Sequence, residues 1–140
     1  MKLKEKILTA AKETISIEAK AIANLENFID SEFAEAVEHI YKAKGRVIVT
    51  GIGKSAVIAT KIVATLNSTG TPAIFMHAAD AIHGDLGTIQ KDDVVICISK
   101  SGNSPEIKVL VPYIKDFNNL LIGITADKES FLGRESDYVL

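Results

Sequence analysis

From Arg46 to the last residue the chain alternates short, wholly apolar runs with segments of helical character, and few folds accept that order. The runs are RVIVT, PAIFM, VVICI, LLIGIT and YVL; between them lie SAVIATKIVATLNS, HAADAIHG, SPEIKVLVPYIKDF and KESFLGRE. They are rich in β-branched residues and show no polar alternation, the pattern of strands covered on both faces. Strands of this kind separated by helices form a parallel sheet joined by right-handed crossovers. The expected fold is α/β, an open three-layer parallel sheet of about five strands.

The first 44 or so residues have a different texture, with apolar residues at helical spacing. Leu3, Ile7, Leu8, Ala11 and Ile15 form a stripe that Ile22, Leu25, Phe28 and Ile29 extend. Asp30 or Ser31 is placed to cap a second helix with Phe33, Val37, Ile40 and Tyr41 facing inward, and Gly45 ends it. An N-terminal helical hairpin is therefore expected, packing on a core or on a second subunit.

At 140 residues the chain can bury one core and is too short for two ordinary domains. A single domain over residues 1–140 is expected. The last run, YVL, ends the sequence where an open α/β sheet would continue into a covering helix, so the domain reads as a fragment.

Composition narrows the partners. With 47% hydrophobic and 24% charged residues the chain has the make-up of a soluble globular domain. A formal net charge of −2 argues against a nucleic-acid partner, which needs a broad basic face. No apolar run approaches membrane-spanning length, and MKLKEKILTAAKE lacks the apolar core of a signal peptide. The single cysteine, Cys97, lies inside VVICI and cannot close an internal disulfide. A reducing compartment, hence the cytoplasm, is the expectation.

The segment TGIGKSA, Thr50 to Ala56, joins the first strand to its helix. A P-loop requires a glycine five positions before that of its Gly-Lys-Ser, and Ile48 stands there. A dinucleotide fingerprint matches Gly51, Gly53 and Ala56, but the second strand ends in Met76-His77 with no acid for a ribose. A tight turn with no ligand is the bland alternative. What favours a ligand lies elsewhere: the third strand runs into SKSGNSPEI, with Ser99, Ser101 and Ser104 around Gly102. Ligands of open α/β sheets bind at such strand ends. Ser104 followed by Pro105 is a helix N-cap and first-turn pair. Hydroxyls together with helix N-terminal amides hold a phosphate dianion without much positive charge. On the bland reading Ser104 only caps its helix and the other serines only shape a turn.

Four elements in this order, Gly51-Ile-Gly-Lys-Ser, Ser68-Thr-Gly-Thr-Pro, His83-Gly-Asp-Leu-Gly and Ser99-Lys-Ser-Gly-Asn-Ser-Pro-Glu, resemble the sugar isomerase (SIS) domain, a Rossmann-like fold. More narrowly they resemble the arabinose 5-phosphate isomerase family, and the likeness spans nearly the whole chain. It implies interconversion of D-ribulose 5-phosphate and D-arabinose 5-phosphate, the entry to the sugar acid Kdo of lipopolysaccharide. It also implies a homotetramer with active sites built across subunits, and no required cofactor.

Such a reaction moves a proton between adjacent carbons and needs a base, a polariser for the carbonyl and a phosphate anchor. The resemblance places the catalytic lysine at Lys54 and a catalytic glutamate at Glu106. For Lys54 the bland reading is a solvated turn lysine; for Glu106 it is a first-turn carboxylate favoured by the helix dipole. Ser55, Ser99, Ser101 and Ser104, with Gly53 and Gly102, are the substrate-binding candidates. His83 matches a family position associated with inhibitory divalent metal such as zinc, and is expected at the site without a required metal. Asp85 fixes the turn, and His39 is structural. Two residues depart from the family pattern: Asn103 stands where better-known members carry an acid, and Lys100 replaces a neutral residue. The resemblance also implies a further catalytic glutamate and histidine after the fifth strand, and in many members two CBS domains, none of them in these 140 residues. Two other readings share the serine motif: a non-catalytic sugar-phosphate sensor, and an isomerase for a hexulose 6-phosphate.

Overall fold

The computed structural model of the chain describes residues 2–140. It divides into two compact units, one ending at Ser31 and the other running from Glu32 to Leu140. In the first unit α1 spans Leu3–Asn24 and buries none of its residues. Its apolar stripe is open: Ile7, Ile15 and Ile22 are each more than half exposed. The stripe does not extend as one helix. After Asn24 the backbone tightens into a 3₁₀ turn over Leu25–Phe28, where Asn27 Nδ2 donates to Asn24 Oδ1 at 2.9 Å. The α-helical repeat thus ends at Asn24, and Phe28 and Ile29 fall off it.

The second unit begins within α2 (Ser31–Lys42) and carries one parallel sheet of five strands. The order along the chain is β1 (Val47–Gly51), α3 (Lys54–Ser68), β2 (Ala73–His77), α4 (Ala78–Ala81), β3 (Val94–Ile98), α5 (Pro105–Asp116), β4 (Leu120–Ile124), α6 (Phe131–Glu135) and β5 (Tyr138–Val139). In space the strands run β2-β1-β3-β4-β5. The apolar runs of the sequence are thus the strands. HAADAIHG and KESFLGRE supply only the short α4 and α6, with a 3₁₀ turn at Asp85–Thr88.

Alternation along the strands builds two cores. Ile48, Val95, Cys97 and Leu121 face one side, where Ala78 and Ala81 of α4, Ile107, Leu110 and Ile114 of α5, and Leu132 of α6 cover them. Val47, Val49, Val94, Ile96 and Ile122 face the other side, under Ala59 of α3 and Ala36 of α2. The expected inward face of α2 holds at Ile40 and needs correction at Val37 and Tyr41. Ala36, Ile40 and Ala43 meet the sheet, whereas Val37 is 47% and Tyr41 87% exposed. The small Ala36 lets the helix approach closely, and residues 37 and 41 then lie about 100° round the helix.

One buried ion pair pins the N-terminal ends of β1 and β3. The Asp93 carboxylate accepts from Arg46 Nη2 and from the Arg46 and Gln90 backbone N–H groups at 2.7–2.8 Å. Burial alone would raise the Asp93 pKa, but the Arg46 and Gln90 hydrogen bonds outweigh it and hold the carboxyl below its ordinary value. A depressed carboxyl contributes stability above its unfolded pKa and loses it as pH falls through the folded one. Stability should therefore decline below about pH 4. Arg46→Met should cost about 3 kcal/mol at neutral pH in urea unfolding and make that acid decline smaller. Cys97, by contrast, is pushed up to about 12 by burial and stays a thiol. Among the described residues no helix is long and apolar enough to cross a membrane.

Candidate functional site

The strand order reverses at β1: the chain moves from β1 outward to β2, then returns to place β3 on the other flank. The helix after β1, α3, covers one face of the sheet, and the helix after β3, α5, covers the other. Their connecting loops therefore part at the C-terminal ends of two neighbouring strands, leaving a crevice where ligands of such sheets bind. Gly51 is in register with Ile98, so the turn starting at Ile52 and the loop starting at Ser99 leave the sheet side by side. These are the two motifs singled out in the sequence.

The first turn brings the backbone close. Gly51 is buried, and a Cβ on it would stand 3.1 Å from the Ile98 carbonyl oxygen. Gly53 precedes α3 with φ 60° and ψ −130°, a conformation that glycine adopts without strain. Lys54 and Ser55 are the first residues of α3, the lysine exposed and the serine half-buried. The first N–H groups of a helix have no intrahelical acceptor, so both residues offer backbone donors as well as side chains.

The second loop is held by its own serines. Ser99 is buried, and its Oγ accepts from Gly102 N at 3.1 Å. Ser101 is exposed, and its Oγ accepts from Asn103 N at 3.3 Å. Both hydroxyls keep a proton to donate. Ser104 sits at the N-cap of α5, with Pro105 at the first position as expected, but its hydroxyl makes no capping bond. Its Oγ is buried and has no partner among the described residues. The plain capping reading of Ser104 is thus not what the structure contains. Glu106, half-buried, lies in the first turn of the same helix.

Residues the sequence did not single out shape this loop. Gly102 has φ 64°, and a Cβ there would meet Ser130 Oγ at 2.0 Å and Thr125 Oγ1 at 3.0 Å. The Gly102 carbonyl accepts from Leu132 N at 2.9 Å, and the Lys100 carbonyl accepts from Ala126 N at 3.1 Å. Asn103 bridges the two segments: its Nδ2 donates to the Ser101 carbonyl and its Oδ1 accepts from Phe131 N, at 3.1 and 3.0 Å. The serine loop is therefore clamped to the β4–α6 connection at Ala126 and to the first turn of α6 at Phe131 and Leu132. Asn103, read from the sequence as a change in local charge, here acts as a strut.

His83 lies beyond α4, exposed, in the connection that follows β2. Its backbone N–H donates to the Asp80 carbonyl at 2.9 Å. His77 has a structural job, its Nδ1 accepting from Ala79 N at the start of α4. Among the described residues no three His, Cys, Asp or Glu side chains gather as a metal-binding group, so His83 does not by itself make a metal centre. A surface hollow of about 530 Å³ lies at the opposite end of the strands among His39, Lys42, Lys44 and Lys91. It holds none of the motif residues. The two motif loops and the switch point all lie at the other end of the strands, so the hollow is set apart from the candidate site.

An open parallel sheet with hydroxyls and two helix N-termini around its switch point is an α/β domain of a geometry suited to a phosphate. Residues 39–140 match the SIS domain model, and the chain belongs to that family. It is 45% identical over 128 residues to the arabinose 5-phosphate isomerase KdsD of Escherichia coli K12, and 44% identical over 128 residues to that of Yersinia pestis. Each alignment covers 91% of this chain and 39% of the relative, so the chain spans about two-fifths of the length of the curated relatives it matches. Among solved structures, the c3406 protein of E. coli CFT073 in complex with arabinose 5-phosphate superposes with a TM-score of 0.92 at 39% identity. That alignment covers 99% of this chain and 73% of the other. The α/β fold expected from the apolar runs is the fold observed.

Proposed function

We propose that the protein is a phosphosugar aldose–ketose isomerase that interconverts D-ribulose 5-phosphate and D-arabinose 5-phosphate through an enediol. What supports this most is the identity, across nearly the whole chain, to proteins named for that activity. The site chemistry agrees with it. Ser55, Ser99, Ser101 and Ser104, with the backbone amides opening α3 and α5, hold the phosphate. Glu106 takes the proton from C2 of the aldose, the electron pair moves to the carbonyl oxygen, and Lys54 stabilises the resulting enediolate. The O2 hydroxyl proton passes to O1, and the proton returns from Glu106 to C1 as the C2 carbonyl forms, which completes the ketose. No organic cofactor enters these steps. In this reading the active enzyme is a cytoplasmic homotetramer that feeds Kdo synthesis for lipopolysaccharide; it requires no metal, and a divalent ion such as zinc at His83 would inhibit it.

Proton NMR with D-arabinose 5-phosphate in D₂O tests the reaction. Ribulose 5-phosphate should appear together with deuterium at C2 of the recovered aldose; binding without either would fit a sensor of sugar phosphate or an isomerase whose catalytic set needs groups beyond these 140 residues. The anchor has its own test. Ser101→Ala combined with Ser104→Ala should weaken sugar-phosphate binding by about a hundredfold in calorimetry, since hydrogen bonds to charged groups contribute about 1.5–3 kcal/mol each. Unchanged affinity would remove the serines from the phosphate site.

A further inference from the structure

Two buried side-chain polar atoms lack a hydrogen-bond partner among the described residues, the hydroxyls of Ser104 and Thr50. Ser104 belongs to the serine loop. Thr50 opens the TGIGKSA segment without being one of its candidate site residues; it is fully buried and is the last residue of β1 before Gly51.

Strand alternation decides which way Thr50 faces. Ile48, two residues earlier, packs in the core under α5, so Thr50 lies on that same face of the sheet. Its register partner on β3, Cys97, packs in that core as well. Ser104 opens α5, the helix that covers this face. The two unpartnered hydroxyls thus lie on one face at one end of the sheet, beneath the two loops that part at the switch point. Valine would fill the same shape in a strand without burying a hydroxyl, and an unpaired buried hydroxyl is unfavourable. Because Thr50 is fully buried, a group bound in the crevice reaches this hydroxyl only where the Gly51 turn yields on binding, and an orphan hydroxyl directly before that turn is placed for such a contact.

We infer that Thr50 is a substrate-binding residue whose hydroxyl, from beneath the Gly51 turn, hydrogen-bonds the sugar phosphate seated between the two loops. The inference rests on the phosphosugar reading above, and adds to it a residue outside the glycine and serine motifs.

The test compares Thr50→Val, which removes the hydroxyl at constant shape, with Thr50→Ser, which keeps it. Titration calorimetry with D-arabinose 5-phosphate and with inorganic phosphate should show Thr50→Val binding the sugar phosphate about tenfold more weakly, the size of one hydrogen bond to a charged ligand. Thr50→Ser should bind close to the parent. Loss toward both probes places the contact on the phosphate, and loss toward the sugar phosphate alone places it on the sugar; either supports the inference. Melting temperature supplies the contrast. If Thr50→Val melts higher and binds both probes as the parent does, the hydroxyl is a structural orphan and the inference falls while the isomerase reading stands. Should the parent itself bind neither probe, both fall together. Thr50→Ala against Thr50→Ser gives the same comparison if the valine variant does not fold.

Discussion

Lys54→Ala is expected to lower turnover of D-arabinose 5-phosphate by about 10²–10³-fold, the usual consequence of losing one group that stabilises a developing oxyanion. Inorganic phosphate should bind the variant nearly as well as the parent, because the serines and helix amides remain. The fold should tolerate the change. Lys54 is exposed and occupies the first position of α3, where the helix dipole disfavours a cation and alanine is the better helix former. A drop in kcat at unchanged melting temperature and phosphate affinity therefore isolates the chemical step. Equal losses in turnover and phosphate affinity would make Lys54 an anchor and leave the enediolate without its named stabiliser.

The second large effect is expected at Gly102. An alanine there must adopt φ 64°, costing about 1 kcal/mol, and place its Cβ 2.0 Å from Ser130 Oγ. Ser130 cannot easily withdraw, since it is 1% exposed and its Oγ accepts from Gly133 N at 3.1 Å. Overpacking of this kind adds about 1–3 kcal/mol. Gly102→Ala should thus destabilise the chain by about 2–4 kcal/mol in denaturant unfolding. It should also displace the serine loop, so sugar-phosphate affinity should fall beyond what the stability loss alone produces. Stability within about 0.5 kcal/mol of the parent would mean the loop relocates without cost, and the clamp described above is not rigid.

The fold is legible because each strand advertises itself within five or six residues. VVICI and LLIGIT need no distant partner to read as strands buried on both faces, and their order forces the parallel sheet. The two site loops are legible for a similar reason: Gly51 to Ser55 and Ser99 to Ser104 carry their glycines, hydroxyls and helix-starting signals within a short span. Asn103 shows where this stops. Its acceptor bond goes to Phe131, 28 residues on, and no local pattern distinguishes a strut from a change of charge. Thr50 escapes a reading of the sequence because a threonine ending a strand is ordinary until the surrounding core reveals that its hydroxyl has no partner. The inward face of α2 escapes it too: large side chains ordinarily mark the inward face, whereas here the close approach depends on the small Ala36.

The clamp that holds the serine loop to the β4–α6 connection and the start of α6 bears on how this site can be borrowed. A protein engineer who transplanted residues 99–104 into another parallel sheet would carry over three hydroxyls but not the bonds that Leu132, Phe131 and Ala126 make to that loop. The smallest portable unit runs from β3 through α6. The same reasoning holds for inherited variation: a substitution at Ser130 or Thr125, far from Ser101 in sequence, acts on the serine loop through the space beside Gly102.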